Sequence, residues 1–390
     1  MRRTLLAAVT AAALVAGACG AASADTLKIG LMATLSGPSA ALGEHMRDGF
    51  MLAVKHADGK LGGVDTEIIT VDDELKPDLA VEKANALIER DGVQVVAGVI
   101  FSNVMAAIAR PVTDKEVFLV SGNAGPSVLA GKGCNPFFFS ASYQNDQMHE
   151  VMGKYAQDKG YQRVFLVAPN YQAGKDSLAG FKRHYKGEVA DEVYTQLGQL
   201  DFSAEMARIA SAKPDAVFTF MPGGMGINLV KQYRQAGLAD STPFLSAFTV
   251  DGTTLPAMKD DAVGLFSSSQ WTSGIDNEAN RRFVADFEQA YGYVPSLYAA
   301  QGYDAAQLIA AGVKAAGGDL SNKDAIRKGM EAADFQSIRG DFKMNSNHFP
   351  IQDFYLVEAV KRDDGKHDVQ IVEKVFDDYG DVYAAECQMN

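Results

Sequence analysis

Ser102 is a residue whose type and place could do chemistry. It follows the apolar run Val93–Val99 and opens a helix-like stretch, Asn103–Asp114. A hydroxyl at a helix start, beside backbone N–H groups with no helical partner, can hold a carboxylate. It can equally be a plain N-cap. Further on lies Ser121-Gly122-Asn123-Ala124-Gly125-Pro126. Its glycines allow close backbone approach and let N–H groups turn inward. Ser102, Asn103, Asn123, Ala124 and Gly125 are therefore candidate contacts for a small anion. Phe101, Tyr171, Phe248 and Trp271 fall in or beside loops of the same kind. Any one of them is as readily a core residue; together they suggest a flat ligand packed between rings. Gln270 could bond a distal polar group, and Ser36, Met221 and Gly224 lie in further loops of this type.

Motifs for catalysis are missing. There is no HExxH spacing and no GxSxG elbow, and the six His are scattered, with four of them expected to be solvated. Gly174-Lys175-Asp176 lacks the upstream Gly and the Ser/Thr of a P-loop, and Gly224-x-Gly226 lacks the third Gly of a dinucleotide fingerprint. These features predict no metal, no cofactor and no enzyme.

The elements that must position these loops are legible as alternation. Strand-like runs are expected at 27–33, 66–71, 93–99, 117–120, 163–168, 188–194, 216–220, 243–246 and 264–268. Helix-like runs fall between them, with two more at 277–291 and 296–316. Apolar Met46, Phe50, Ala53, Val54 and Ala57 recur at helical spacing, opposite Arg47, Asp48, Lys55 and His56. Strand and helix in strict turn predict an α/β protein with doubly wound parallel sheets. Such sheets bind ligands beyond the carboxyl ends of their strands, which is where the candidate loops sit.

The chain has 390 residues and a formal charge of −13. That length suits two domains, and the acidic balance argues against a nucleic-acid partner. Met1–Ala24 has Arg2 and Arg3, an apolar run from Leu5 to Ala18, and Ala22-Ser23-Ala24. It reads as a cleaved secretory signal, residues 1–24. A membrane anchor is the alternative, although the run is short for a span. Lipidation at Cys19 is disfavoured because Ala16 stands where a Leu is usual. Cleavage leaves Cys134 and Cys387. In an oxidising compartment the pair suggests one disulfide, with two buried thiols as the alternative.

The stretch Leu27–Gly63, with Ser36, Gly37, Gly43, Gly49, Gly62 and Gly63, resembles the opening of the periplasmic leucine/isoleucine/valine-binding proteins, the solute receptors of ABC importers. The resemblance runs along nearly the whole mature chain. Asp72-Asp73, Pro77, Ala80-Val81, Leu87-Ile88, Ser102, Ser121–Pro126, Tyr171–Gly174 and Gly302-Tyr303-Asp304-Ala305 recur in the family's order. It implies the type I periplasmic-binding fold, two lobes joined by a three-strand hinge. Lobe 1 would comprise 27–140 plus 271–345, and lobe 2 141–270 plus 346–390. Ser102 falls at the family's ligand-contacting Ser. Phe248 stands where amino-acid receptors of the family carry the Glu that holds the α-ammonium, with Asp251 as a substitute if the register is shifted. The block Gly340–His348 resembles members that bind plant-derived aromatic acids. The resemblance thus implies a monomeric periplasmic receptor for a hydroxycinnamate or hydroxybenzoate. It would close by hinge motion and deliver to a membrane permease and its ATPase. A branched-chain amino-acid or amide receptor, or a sensor for a signalling partner, are the alternatives.

Overall fold

A computed structural model describes residues 26–389. The expected signal at 1–24, with Cys19, lies outside the described residues.

The first sheet contains β1 (Leu27–Ala33), β2 (Lys60–Leu61), β3 (Val64–Asp72), β4 (Val95–Gly98), β5 (Phe118–Ser121) and β6 (Phe138–Ser140), in the order β2-β3-β1-β4-β5-β6. All neighbours are parallel except the short β2–β3 pair. β1, β4 and β5 are buried almost throughout, as strands covered on both faces must be. Helices α1 (Ala40–His56), α2 (Pro77–Glu89), α3 (Ser102–Thr113) and α4 (Ser127–Ala130) alternate with these strands.

The second sheet is formed by β7 (Arg163–Pro169), β8 (Glu188–Thr195), β9 (Ala216–Phe220), β10 (Phe244–Ala247), β11 (Phe266–Ser269), β12 (Lys343–Met344), β13 (Pro350–Lys361) and β14 (His367–Tyr379). β7 to β11 are parallel; β13 and β14 form an antiparallel hairpin on the β11 edge. α5 (Asn145–Asp158), α6 (Gln172–His184), α7 (Ser203–Ala212), α8 (Gly224–Gln235) and the short α9 (Leu255–Met258) accompany it. α10 (Glu278–Tyr291), α11 (Leu297–Ala315) and α12 (Lys323–Ala332) bring no strands of their own. α11 lies along α1, so these helices cover the first sheet. That packing needs glycine: a Cβ on Gly49 would come within 1.9 Å of Ala299 O, and one on Gly302 within 2.0 Å of Met46 O.

Two features differ from expectation. β6 is only three residues long and shows no alternation, so it escapes a pattern reading. β12 falls within the expected lobe 1 range yet pairs with β13 of the second sheet.

The chain passes between the sheets after β6, after β11 and beside β12. A buried ion pair ties the first and third of these crossings together. Arg339 Nε donates to Asp304 Oδ2 at 2.8 Å, Nη1 to Ser142 O at 2.9 Å and to Gln352 Oε1 at 2.7 Å, and Nη2 to Ala141 O. Cys134 and Cys387 form a disulfide with a Cα separation of 5.7 Å. It fixes the end of the chain, beyond β14, to the loop before β6.

Candidate functional site

In each sheet the strand order reverses beside the first strand of its unit, β1 or β7. Loops at such a reversal splay apart and leave a crevice. The two crevices face one another, and between them lies a closed cavity of about 20 Å³. The lobes are closed around it. Phe101 meets Tyr171 across the gap with ring centroids 6.1 Å apart.

The cavity gathers Phe101, Ser102, Asn123, Tyr171 and Phe248 from the expected set. Ser102 is 2 % exposed and is the first residue of α3, after Phe101 in an extended conformation. The first backbone N–H groups of α3 have no intrahelical acceptor. Ser102 Oγ accepts from Asn145 Nδ2 at 3.0 Å, which leaves its own hydrogen to donate. Asn123 is committed elsewhere: its Nδ2 donates to Ile100 O at 2.7 Å and its Oδ1 accepts from Tyr143 Oη at 3.0 Å. Phe248 has φ +55°, a left-handed conformation that costs a side chain with a Cβ roughly 1–2 kcal/mol. That backbone places its ring beside Tyr143, Phe220, His149 and Tyr298, with centroids 5.2 to 6.1 Å away.

The remaining expected residues do not line this cavity. Ala124 N–H donates to Val99 O and Gly125 N–H to Asn145 Oδ1, so neither is free for a ligand. Ser36 is exposed in the β1–α1 loop, and Asn103 is half-buried on α3. Met221 packs in the second-lobe core, its N–H donating to Thr249 Oγ1. Gly224 opens α8 and abuts Pro38 of the opposite lobe. Gln270 is buried away from the cavity, as is Trp271, whose Nε1 donates to Asn280 Oδ1.

Beside Leu42, Ile100, Ala173 and Pro222, the walls include Tyr143, Asn145, His149, Phe220 and Tyr298, which were not singled out from the sequence. Tyr143, Asn145 and His149 flank the first crossing between lobes, and Tyr298 opens α11. Phe220 is the last residue of β9, but no strand end announces the other four. The expectation of solvated histidines also fails. His45, His149 and His348 are buried and the other three are partly so, because apolar faces of helices and crossings close over them.

The walls carry no formal charge. Burial lowers the His149 pKa to about 3, so the ring is neutral at pH 7. Its Nδ1 shares a hydrogen bond with Ser177 Oγ at 3.2 Å. Burial raises the phenols of Tyr143, Tyr171 and Tyr298 well above their usual range, so they stay protonated. Among the described residues, no Asp or Glu lines the cavity. Asp251 is no substitute. It faces a separate pocket, and its Oδ1 accepts from Thr253 N and Oγ1 at 2.7 and 2.6 Å.

Comparison with known proteins bears on this arrangement. Residues 26–366 match the family model described as periplasmic binding protein. The chain belongs to that family. A Leu/Ile/Val-binding protein homolog of Brucella melitensis is 30% identical over 384 residues, covering 94% of this chain and 97% of the relative. An ABC transporter solute-binding protein of R. palustris in complex with benzoate superposes with a TM-score of 0.88 at 33% identity, covering 94% of this chain and all of the other. A second R. palustris solute-binding protein, in complex with 4-hydroxybenzoate, gives 0.85 at 27% identity, covering 91% and 98%. This periplasmic binding protein is thus a solute-binding component of the ABC-transporter type, and its family and fold neighbours are binding proteins rather than enzymes. No helix among the described residues is long and apolar enough to cross a membrane.

Proposed function

We propose that this periplasmic binding protein is the receptor of an importer for a small aromatic carboxylate of hydroxybenzoate or hydroxycinnamate type. The observation that carries the reading is the cavity's chemistry. It offers a helix start with a donating hydroxyl, several aromatic faces and no carboxylate. An α-ammonium would find neutral groups but no carboxylate there, and its desolvation would be poorly compensated. A ring with one carboxylate and no amine leaves no such charge. At about 20 Å³ the closed cavity is smaller than a ring, so its walls must move apart to admit one.

The energies are sufficient. Burying a ring of on the order of 150 Å² contributes about 4 kcal/mol at about 25 cal/mol/Å². Two charge-assisted hydrogen bonds, from Ser102 and the α3 N–H groups, add about 1.5–3 kcal/mol each. After the cost of association, low-micromolar affinity is within reach. The ligand would touch both lobes and so select the closed form. The lobes, 27–140 with 271–342 and 141–270 with 343–389 once β12 is counted with the second sheet, would then move as bodies about the three crossings. Delivery would be to a membrane permease and its ATPase from the periplasm, with the receptor a monomer.

A branched-chain amino-acid receptor is the second reading, favoured by the name of the Brucella relative. Calorimetry with 4-hydroxybenzoate, 4-coumarate and leucine separates the two. The aromatic reading expects heat from one or both acids and none from leucine; binding of leucine alone would overturn it.

A further inference from the structure

Asp176 does not line the cavity, yet it is buried and belongs to both lobes. It lies on α6 of the second lobe and is 5 % exposed. Four donors fill its carboxylate. Oδ1 accepts from Ser127 Oγ at 2.7 Å and Gln172 Nε2 at 2.8 Å; Oδ2 accepts from Ser127 N at 3.1 Å and Asn145 Nδ2 at 2.8 Å. Ser127 starts α4 of the first lobe, so two of these bonds cross between lobes. Asn145 is the first residue of α5, just past the first crossing. Its Nδ2 also reaches Ser102 Oγ, and its Oδ1 accepts from Gly125 N.

We infer that Asp176 latches the lobes shut and that Asn145 couples this latch to the ligand's carboxylate at Ser102. The inference rests on the reading of Ser102 as the carboxylate contact. One Asn145 NH2 group donates both to Ser102 Oγ and to Asp176 Oδ2, so the position of either partner fixes the other. Opening the cleft would strip Ser127's two donors from an ionised carboxylate. Charge-assisted bonds are the strong class, so the closed form gains selectively. Asp176 is a positioning residue in this scheme, since it does not touch the ligand.

The test uses the full mature protein with 4-hydroxybenzoate as probe. Asp176→Asn keeps the shape and removes the charge; Ser127→Ala removes one cross-lobe donor; Ser127→Thr keeps both. The first two should weaken binding about 10- to 100-fold, the loss lying in the dissociation rate. Ser127→Thr should bind as wild type. The ligand-free melting temperature should not move, because the latch acts on closure rather than on either lobe's core. Wild-type dissociation rates in both weakened variants would overturn the latch. So would a drop in ligand-free melting temperature that accounts for the whole loss, which marks a structural role. Failure of wild-type protein to bind the probe would instead overturn the reading of the site, and the Asn145 coupling with it.

Discussion

Phe248→Ala tests the cavity reading most directly. The ring is 2 % exposed and makes four aromatic pairs inside the protein. A Phe buries on the order of 150–200 Å². If its protein neighbours take roughly half, about 80 Å² faces the ligand, worth about 2 kcal/mol at about 25 cal/mol/Å². A lost ring pair with an aromatic ligand adds about 0.5–1.5 kcal/mol. The total, about 2.5–3.5 kcal/mol, corresponds to a roughly 70- to 370-fold rise in Kd for 4-hydroxybenzoate by calorimetry. A companion variant, Phe248→Gly, removes the same ring and relieves the left-handed backbone at φ +55°. It should bind like Phe248→Ala and unfold at no lower denaturant concentration, since relief of about 1–2 kcal/mol offsets glycine's added entropy of about 0.5–1 kcal/mol. A change in Kd of less than about 3-fold in both variants would refute the placement of the ring against the ligand.

Three further outcomes follow from the geometry. Gly224→Val should hold the lobes apart, because a Cβ there meets Pro38 Cβ and O at 2.9 Å; small-angle scattering should show no compaction on adding ligand, and Kd should rise at least about 10-fold. Asp304→Asn leaves Arg339 buried without its counter-charge and should cost about 3–5 kcal/mol in denaturant unfolding. His45 is buried against Tyr293 at 4.4 Å, and burial lowers its pKa to about 3. A depressed histidine contributes stability above its unfolded pKa of about 6.5 and loses it as pH falls toward the folded value. His45→Phe should therefore gain about 2 kcal/mol relative to wild type between pH 7.5 and pH 5, read as the difference between paired urea titrations.

Legibility differed sharply between fold and site. Long elements such as α1, β7 and α11 show in the sequence: α1 through apolar residues at helical spacing, β7 and α11 as apolar runs of strand and helix length. β6 and α4 do not, because three or four residues carry no period. The same limit applied to the cavity. Ser102 and Phe101 could be found because they follow a strand and open a helix. Tyr143, Asn145 and His149 sit beside the first crossing between lobes and Tyr298 near the start of α11, and no local pattern marks a residue whose neighbours come from the other lobe. Gly125 shows the converse: its loop reads as an anion cradle, but Asn145 already takes its N–H.

The sequence by itself determined the alternation of strand and helix, the order of the ligand loops and the absence of an acidic residue at position 248. These depend on residue type and local spacing. The tertiary structure alone decided which polar atoms remain free, that Asp251 lines a separate pocket, and that Asp176 reaches Ser127 across the cleft. Those facts depend on how two separately built lobes meet, and hydrogen-bond partners far apart in the chain are chosen only when the lobes close.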